Sequence, residues 1–159
     1  MKKRIKFDFD KLHQLFNYDA ETGILSYKNG EHVGRKSSLG YLKFRLDGHE
    51  VHVHRVAFMM CNGYCPEIID HINANKLDNK ILNLRQASHN ENCQNVREPK
   101  KSNKTSGLLG VSWHKGMKKF RATITKDAKP IHLGYFNNPY DAHNCYLNAK
   151  RQMHKLCTI

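Results

Sequence analysis

The chain has 159 residues, 26% charged and 39% hydrophobic, which suits one medium or two small folded domains and excludes wholesale disorder. No apolar run approaches the roughly 20 residues a membrane-spanning helix needs. Met1–Lys6 is basic but is followed by Asp8 and Asp10, so neither a signal peptide nor a membrane partner is expected, and the expected location is cytoplasmic. The formal net charge of +13 is unevenly spread. Residues 1–98 carry 15 Lys and Arg against 12 Asp and Glu, a net of +3, and residues 99–159 carry 12 against 2, a net of +10. A C-terminal third this basic attracts a polyanion, of which nucleic acid is the commonest. Five cysteines, an odd number, argue against a disulfide framework. Cys61-x3-Cys65 has no second pair at ligand spacing, so buried free thiols are expected rather than a zinc site.

In chain order, Asp8 to Tyr18 reads as a helix, with Phe9, Leu12, Leu15 and Phe16 on one face. A turn at Thr22-Gly23 leads to a strand, Ile24 to Tyr27, and residues 29–40 read as a loop. Leu42, Phe44 and Leu46 alternate with polar neighbours, Asp47-Gly48 suits a two-residue turn, and Val51 and Val53 alternate with His52 and His54 on the returning strand. Val56 to Cys61 is an apolar helix ended by Asn62-Gly63. A short buried strand at Ile68-Ile69 precedes a polar, Asn-rich loop from Asp70 to Lys80 and a second apolar segment at Ile81, Leu82 and Leu84. Ser88-x-x-Glu91 is a capping box that starts a helix. Residues 98–107 have linker composition. Three strand-like runs follow, Leu109 to His114, Lys119 to Thr125 and Ile131 to Phe136, then a helix opened by Asn138-Pro139 with Ala142, Cys145, Tyr146, Ala149 and Met153 on its apolar face.

Residues able to hydrolyse a phosphodiester cluster between 70 and 92. His71 is neutral near pH 7 and suits a general base. Asp70 offers a carboxylate oxygen and Asn92 an amide oxygen, hard ligands for magnesium or manganese. Asn83 lies 12 residues after His71 and Asn92 lies 21 after it. The run Asp70-His71-Ile72-Asn73-x-Asn75-Lys76-x-x-Asn79-Lys80-x-x-Asn83-Leu84-Arg85, with Ser88-x-x-Glu91-Asn92 and the upstream His54-Arg55-Val56-Ala57, resembles the HNH motif of phage and intron-type homing endonucleases over about residues 40–97. The resemblance implies that His71 is the general base, that Asp70 and Asn92 hold a single metal, and that Asn83 braces the loop that aims the imidazole. It also implies a hairpin-and-helix fold and a bacterial or phage-infected cell as the setting. Paired Cys-x-x-Cys knuckles, which zinc-bearing members have, are missing, so no structural zinc is expected. Arg55, at a strand–helix junction, suits a phosphate contact or a carboxylate partner equally.

In the C-terminal third, Phe120, Ala122 and Ile124 alternate with Lys119, Arg121, Thr123 and Thr125, giving one apolar and one cationic, hydrogen-bonding face. Ser112 and His114 on the preceding strand and His132 on the next share the polar side, and such a sheet suits a DNA groove. Trp113 reads either as a DNA contact or, preferably, as a core or rim aromatic. Gly110-Val111-x-Trp113, Phe120-Arg121-Ala122-x-Ile124, Leu133-Gly134-x-Phe136 and Ala142, Tyr146 and Ala149 resemble the apetala/ethylene-response type of DNA-binding domain over about 103–154. That resemblance implies major-groove contacts from Ser112, His114, Thr123, Thr125 and His132, with Arg121 on the same face. Several of that family's arginines are Ser, His or Thr in this chain.

The fold class expected is α+β: an HNH hairpin-plus-helix nuclease domain over 1–97 with its motif core at 51–97, a linker over 98–107, and a three-stranded antiparallel sheet packed on one helix over 108–159. The function expected is a site-preferring homing or nicking endonuclease that uses one divalent cation, Mg2+ ahead of Mn2+, on double-stranded DNA. It is expected to act as a monomer, with a dimer as the alternative. The competing functions are a DNA-binding regulator with a vestigial nuclease and an RNA-binding or structural nucleoprotein component.

Overall fold

The computed structural model describes residues 8–154; the basic Met1–Lys6 stretch and Cys157 lie outside them. The Asp8 carboxylate accepts from the Lys11 backbone N–H at 3.1 Å and so caps α1 (Phe9–Leu15). The helix ends earlier than its apolar spacing suggests. Phe16 takes an extended backbone and starts β1 (Phe16–Tyr18), which pairs antiparallel with β2 (Leu25–Tyr27). The reason is packing: the buried Phe16 ring sits between Tyr27 and Phe44, 5.4 Å from each centroid.

Segment 29–40, read as loop, contributes the two-residue strand β3 (Arg35–Lys36) to a sheet ordered β3-β4-β5, with β4 over Leu42–Leu46 and β5 over His49–His52. The returning strand is shorter than expected, because the chain turns helical at Val53 to form α2 (Val53–Asn62). Val53, Val56, Ala57 and Met60 stand at i, i+3, i+4 and i+7 and are all buried, so helical period wins over strand alternation here. Gly63, with φ of 74°, closes the helix by donating its N–H to Met59 O at 2.9 Å. The antiparallel hairpin of β6 (Ile68–His71) and β7 (Leu84–Ala87) follows; its strands are joined by the polar loop and a 3-10 turn over Ile81–Asn83.

Ser88 and Glu91 complete the expected capping box, at 3.2 and 2.8 Å, and open α3 (His89–Gln94). The antiparallel strands β8 (Val111–His114), β9 (Lys119–Lys126) and β10 (Lys129–Phe136) lie in the order β10-β9-β8. Asn138 caps α4 (Pro139–Met153) through its side chain. Val111, Ala122 and Ile124 form the apolar face of the sheet and pack with Ala142, Tyr146 and Ala149 of α4 in two adjoining clusters. The architecture is therefore α+β, built from small antiparallel sheets and helices. The chain divides into two compact units, Met1–Ala87 and Ser88–Ile159, a division that falls ahead of Arg97, where the sequence reading ends its nuclease module.

The thiols differ from expectation. Cys61 and Cys93 are exposed and Cys65 and Cys145 half-buried, and all four are free. No helix among the described residues is long and apolar enough to cross a membrane.

Gly110 has φ of +75°, and a Cβ there would lie 2.0 Å from the Tyr146 ring. Gly48 has φ of +76° with nothing within 4 Å. Gly110→Ala is therefore expected to destabilise the second unit by more than Gly48→Ala destabilises the first, by an extra 1–3 kcal/mol or so from overpacking. Denaturant unfolding of the two variants checks this, and equal losses would contradict it.

Candidate active site

The hairpin β6–β7 carries Asp70 and His71, the first of the candidate residues. Asp70 and Arg85 are direct cross-strand partners, as are His71 and Leu84. The Asp70 carboxylate is buried, and its Oδ2 accepts from Arg85 Nη2 at 2.7 Å and from Nε at 3.0 Å. A buried carboxylate requires such a partner, and here the guanidinium fixes its orientation. His71, only 4% exposed, follows at the end of the same strand.

Asn79 sets the state of His71. Its Oδ1 lies 3.2 Å from His71 Nε2. A carboxamide oxygen only accepts, so Nε2 carries the proton and the basic lone pair sits on Nδ1. Burial lowers the His71 pKa, opposed by the hydrogen bond to Asn79 and by the Asp70 charge. Both observations describe a neutral imidazole of defined tautomer at pH 7. Asn79 is itself buried and held from behind. Its carbonyl accepts from Tyr18 Oη at 2.7 Å, and burial raises the Tyr18 pKa, so that hydroxyl remains a donor. Gly23, with φ of +77°, presses against the same loop, where a Cβ would lie 2.5 Å from Lys80 N.

Asn83 closes the loop between the strands. Its Oδ1 accepts from Asn73 N at 2.9 Å, its Nδ2 donates to Asp78 O at 2.7 Å, and its carbonyl accepts from Ile72 N at 2.9 Å. Asn73 and Asn75 add Asx-type bonds to backbone N–H groups two residues on, at 2.8 and 3.1 Å. Asp70, His71 and Asn83 thus come together within the first unit, and Asn92 lies on α3 of the second, exposed.

The sequence reading missed the aromatic wall of this site. His54 stands edge-on to His71 at 5.1 Å and is stacked on His52 at 5.3 Å, and Tyr41 touches all three rings. Burial, with His71 next in effect, pushes the His54 pKa down to about 2, and its buried Nδ1 has no hydrogen-bond partner among the described residues. The alternation of Val51, Val53 with His52, His54 pointed to a strand and concealed this role, which the helical spacing from Val53 onward would have shown. Arg55 donates to Pro66 O at 3.0 Å and Glu67 O at 3.2 Å, so its partners are backbone carbonyls and not a carboxylate. Beside His52, one face of the sheet carries Arg35, Lys43 and Arg45, with Glu50 paired to Lys43 at 2.6 Å.

In the second unit, the sheet face opposite α4 holds Ser112, His114, Lys119, Arg121, Thr123, Thr125 and His132, as the strand registers place them. A register shift between His132 and Gly134 also sets Tyr135 opposite Arg121, where it contacts His132 at 4.5 Å and His114 at 5.1 Å. Trp113 lies on the other face, 40% exposed and edge-on to Phe120 at 4.9 Å, which makes it a rim aromatic.

Comparison with known proteins addresses the β6–β7–α3 stretch. Residues 51–94 match the HNH_3 family model, described as HNH endonuclease. The matched segment contains His54, Asp70, His71, Asn79, Asn83 and Asn92. Over 70 residues the chain is 43% identical to Protein 3.8 of Escherichia phage T7, an alignment spanning 43% of this chain and 56% of that relative, so the chain spans about half the length of the relative it matches. A solved structure titled "DNA binding and cleavage by the HNH homing endonuclease I-HmuI" aligns with a TM-score of 0.47 at 19% identity, covering 79% of this chain and 75% of that one.

The depressed imidazoles carry a stability signature. Burial lowers the pKa of His52, His54 and His71 from the ordinary 6.5. Below that pH the unfolded chain binds protons that the folded chain refuses, so stability is full above about pH 6.5 and falls as pH drops. For His54 the loss continues toward pH 2. It is expected to run at about 1.4 kcal/mol per pH unit for each neutral imidazole. His54→Phe should flatten the fall between pH 6 and 4 by close to one proton. An unchanged slope in chemical denaturation would show that His54 protonates readily in the fold.

Proposed function

We propose that this protein is a divalent-metal-dependent endonuclease of the HNH type, hydrolysing phosphodiester bonds in double-stranded DNA as a nicking or homing enzyme. The observation that carries the reading is His71 within an HNH-matching segment: a buried, neutral imidazole with its Nε2–H fixed by Asn79, next to the Asp70 carboxylate. His71 Nδ1 takes a proton from water as the water attacks phosphorus. The Asn79 bond keeps the ring in the basic tautomer, and its carboxamide oxygen stabilises the imidazolium that forms. Asn83 keeps the 72–80 loop closed so that Asn79 stays in place.

The donor set suits a hard cation. Asp70 supplies a buried, oriented carboxylate oxygen, a hard ligand. Magnesium, which keeps several waters and takes one or two carboxylates, needs no more than this, and manganese accepts the same ligands. A bound ion would neutralise charge on the phosphate and on the departing 3′ oxygen, leaving a 5′ phosphate and a 3′ hydroxyl. The cationic face of β3–β4–β5 suits the flanking phosphates, as does Arg55 if its guanidinium also reaches outward. The polar face of β8–β9–β10, with its apetala-like pattern, suits a groove of the duplex, engaged by one copy of the chain.

One observation favours a second reading. The Arg85 guanidinium already neutralises Asp70, as suits a DNA-binding regulator with a vestigial nuclease. Supercoiled plasmid separates the two: relaxed circles are expected with Mg2+ and none with EDTA, and no relaxation with any divalent ion would leave only the regulator. His71→Ala is expected to lower the cleavage rate about 10²–10⁴-fold while DNA affinity in EDTA is retained. Undiminished nicking would remove His71 from the base role.

A further inference from the structure

Residues 98–107, linker-like in composition, are latched to the sheet. Asn103 Nδ2 donates to the carbonyls of Leu108 and Val111, both at 2.9 Å, and Ser106 Oγ donates to Val111 O at 2.7 Å. The Trp113 N–H donates to Thr105 Oγ1 at 3.3 Å. These bonds cover the free edge of β8 with a strap, satisfying backbone groups that an edge strand otherwise leaves open. Between strap and sheet lies a cleft of about 460 Å³.

The chemistry of the cleft is one-sided. Lys100 comes from the strap and Arg121 from the sheet, and among the described residues neither side chain has an ion-pair or hydrogen-bond partner. Ser102, Thr105, Ser112 and Thr123 add hydroxyls, and no carboxylate lines it. Thr123 Oγ1 is buried there without a hydrogen-bond partner among the described residues. Two cations from different elements, several hydroxyl donors and no acid form a site for a phosphate oxyanion. Ser112, Arg121 and Thr123 of its lining share the sheet face that carries Lys119 and Thr125, in a C-terminal third with 12 basic and 2 acidic residues.

We infer that the strap and the sheet clamp one backbone phosphate of duplex DNA, with Lys100 and Arg121 on either side of it and the Thr123 hydroxyl beneath. The inference rests on the reading of the sheet as a DNA-binding face and adds the strap to it. Lys100 then acts as a register-setting contact: it grips the backbone beside the groove that the sheet enters and carries no base information.

The test is duplex affinity of the full chain across a salt series in EDTA, so that no cleavage enters the readout. Lys100→Ala is expected to reduce the log–log salt slope by about 0.9, the value for one phosphate contact, and Lys100→Arg to restore it. Thr123→Val, of equal size, is expected to weaken binding without changing the slope. Arg121→Ala separates the two levels of the argument. If it lowers the slope while Lys100→Ala does not, the strap clamp is overturned and the sheet face stands. If neither variant changes the slope, the sheet reading falls and the clamp with it. Inorganic phosphate supplies the last arm. If it raises the thermal midpoint of the wild type but not of Lys100→Ala, and the DNA slopes of the two are equal, the cleft takes a free anion and the DNA clamp is wrong.

Discussion

The hydrogen bond from His71 to the Asn79 carboxamide is the contact on which the first unit turns. A histidine placed inside a fold has two tautomers and a ring that can flip, and only one arrangement offers a basic nitrogen in a given direction. The chain fixes that choice with a residue that is itself immobilised. Tyr18 holds the Asn79 carbonyl, and the turn at Gly23 lies against the neighbouring peptide. The hairpin β1–β2, far from the motif in sequence, thus acts as a wall behind the loop.

The same loop shows why so many asparagines occur together. A polar connection between two buried strand ends has backbone groups that need partners, and short carboxamides can both accept from and donate to the chain nearby. Asn73, Asn75 and Asn83 do so within the loop, leaving Asn79 turned toward the imidazole. Composition alone marks this stretch as a turn, and only the division of labour among its asparagines separates scaffold from site.

Much of this was legible beforehand. The capping box at Ser88, the three C-terminal strands with their polar and apolar faces, and the helix opened by Asn138-Pro139 follow from rules acting over a few residues. Elements decided by distant packing were not legible. Phe16 left the helix for a three-ring contact with Tyr27 and Phe44, and β3 exists only because β4 lies beside it. In the candidate site, His71, Asp70 and Asn83 stood out by type and spacing. His54 did not, because two competing periods run through residues 51–57, and the Asp70–Arg85 pair depends on a strand register that spacing alone leaves open.

The shift at Leu133 in β10 has a consequence for how the basic sheet could change over time. On either side of it the strand presents its residues in opposite phase: His132 and Tyr135 share the outer surface although an odd number of positions separates them. Leu133 is the extra residue of a bulge: without it the pairs His132–Thr123 and Gly134–Ala122 would run on in regular alternation, with Tyr135 still outward and Phe136 still inward, and only the Leu133 side chain would be lost from the two apolar clusters. Point substitutions on the outer surface leave the core alone, and a one-codon deletion at Leu133 would change the core while leaving the outer residues where they are. Drift of the outer surface is thereby uncoupled from the packing beneath it.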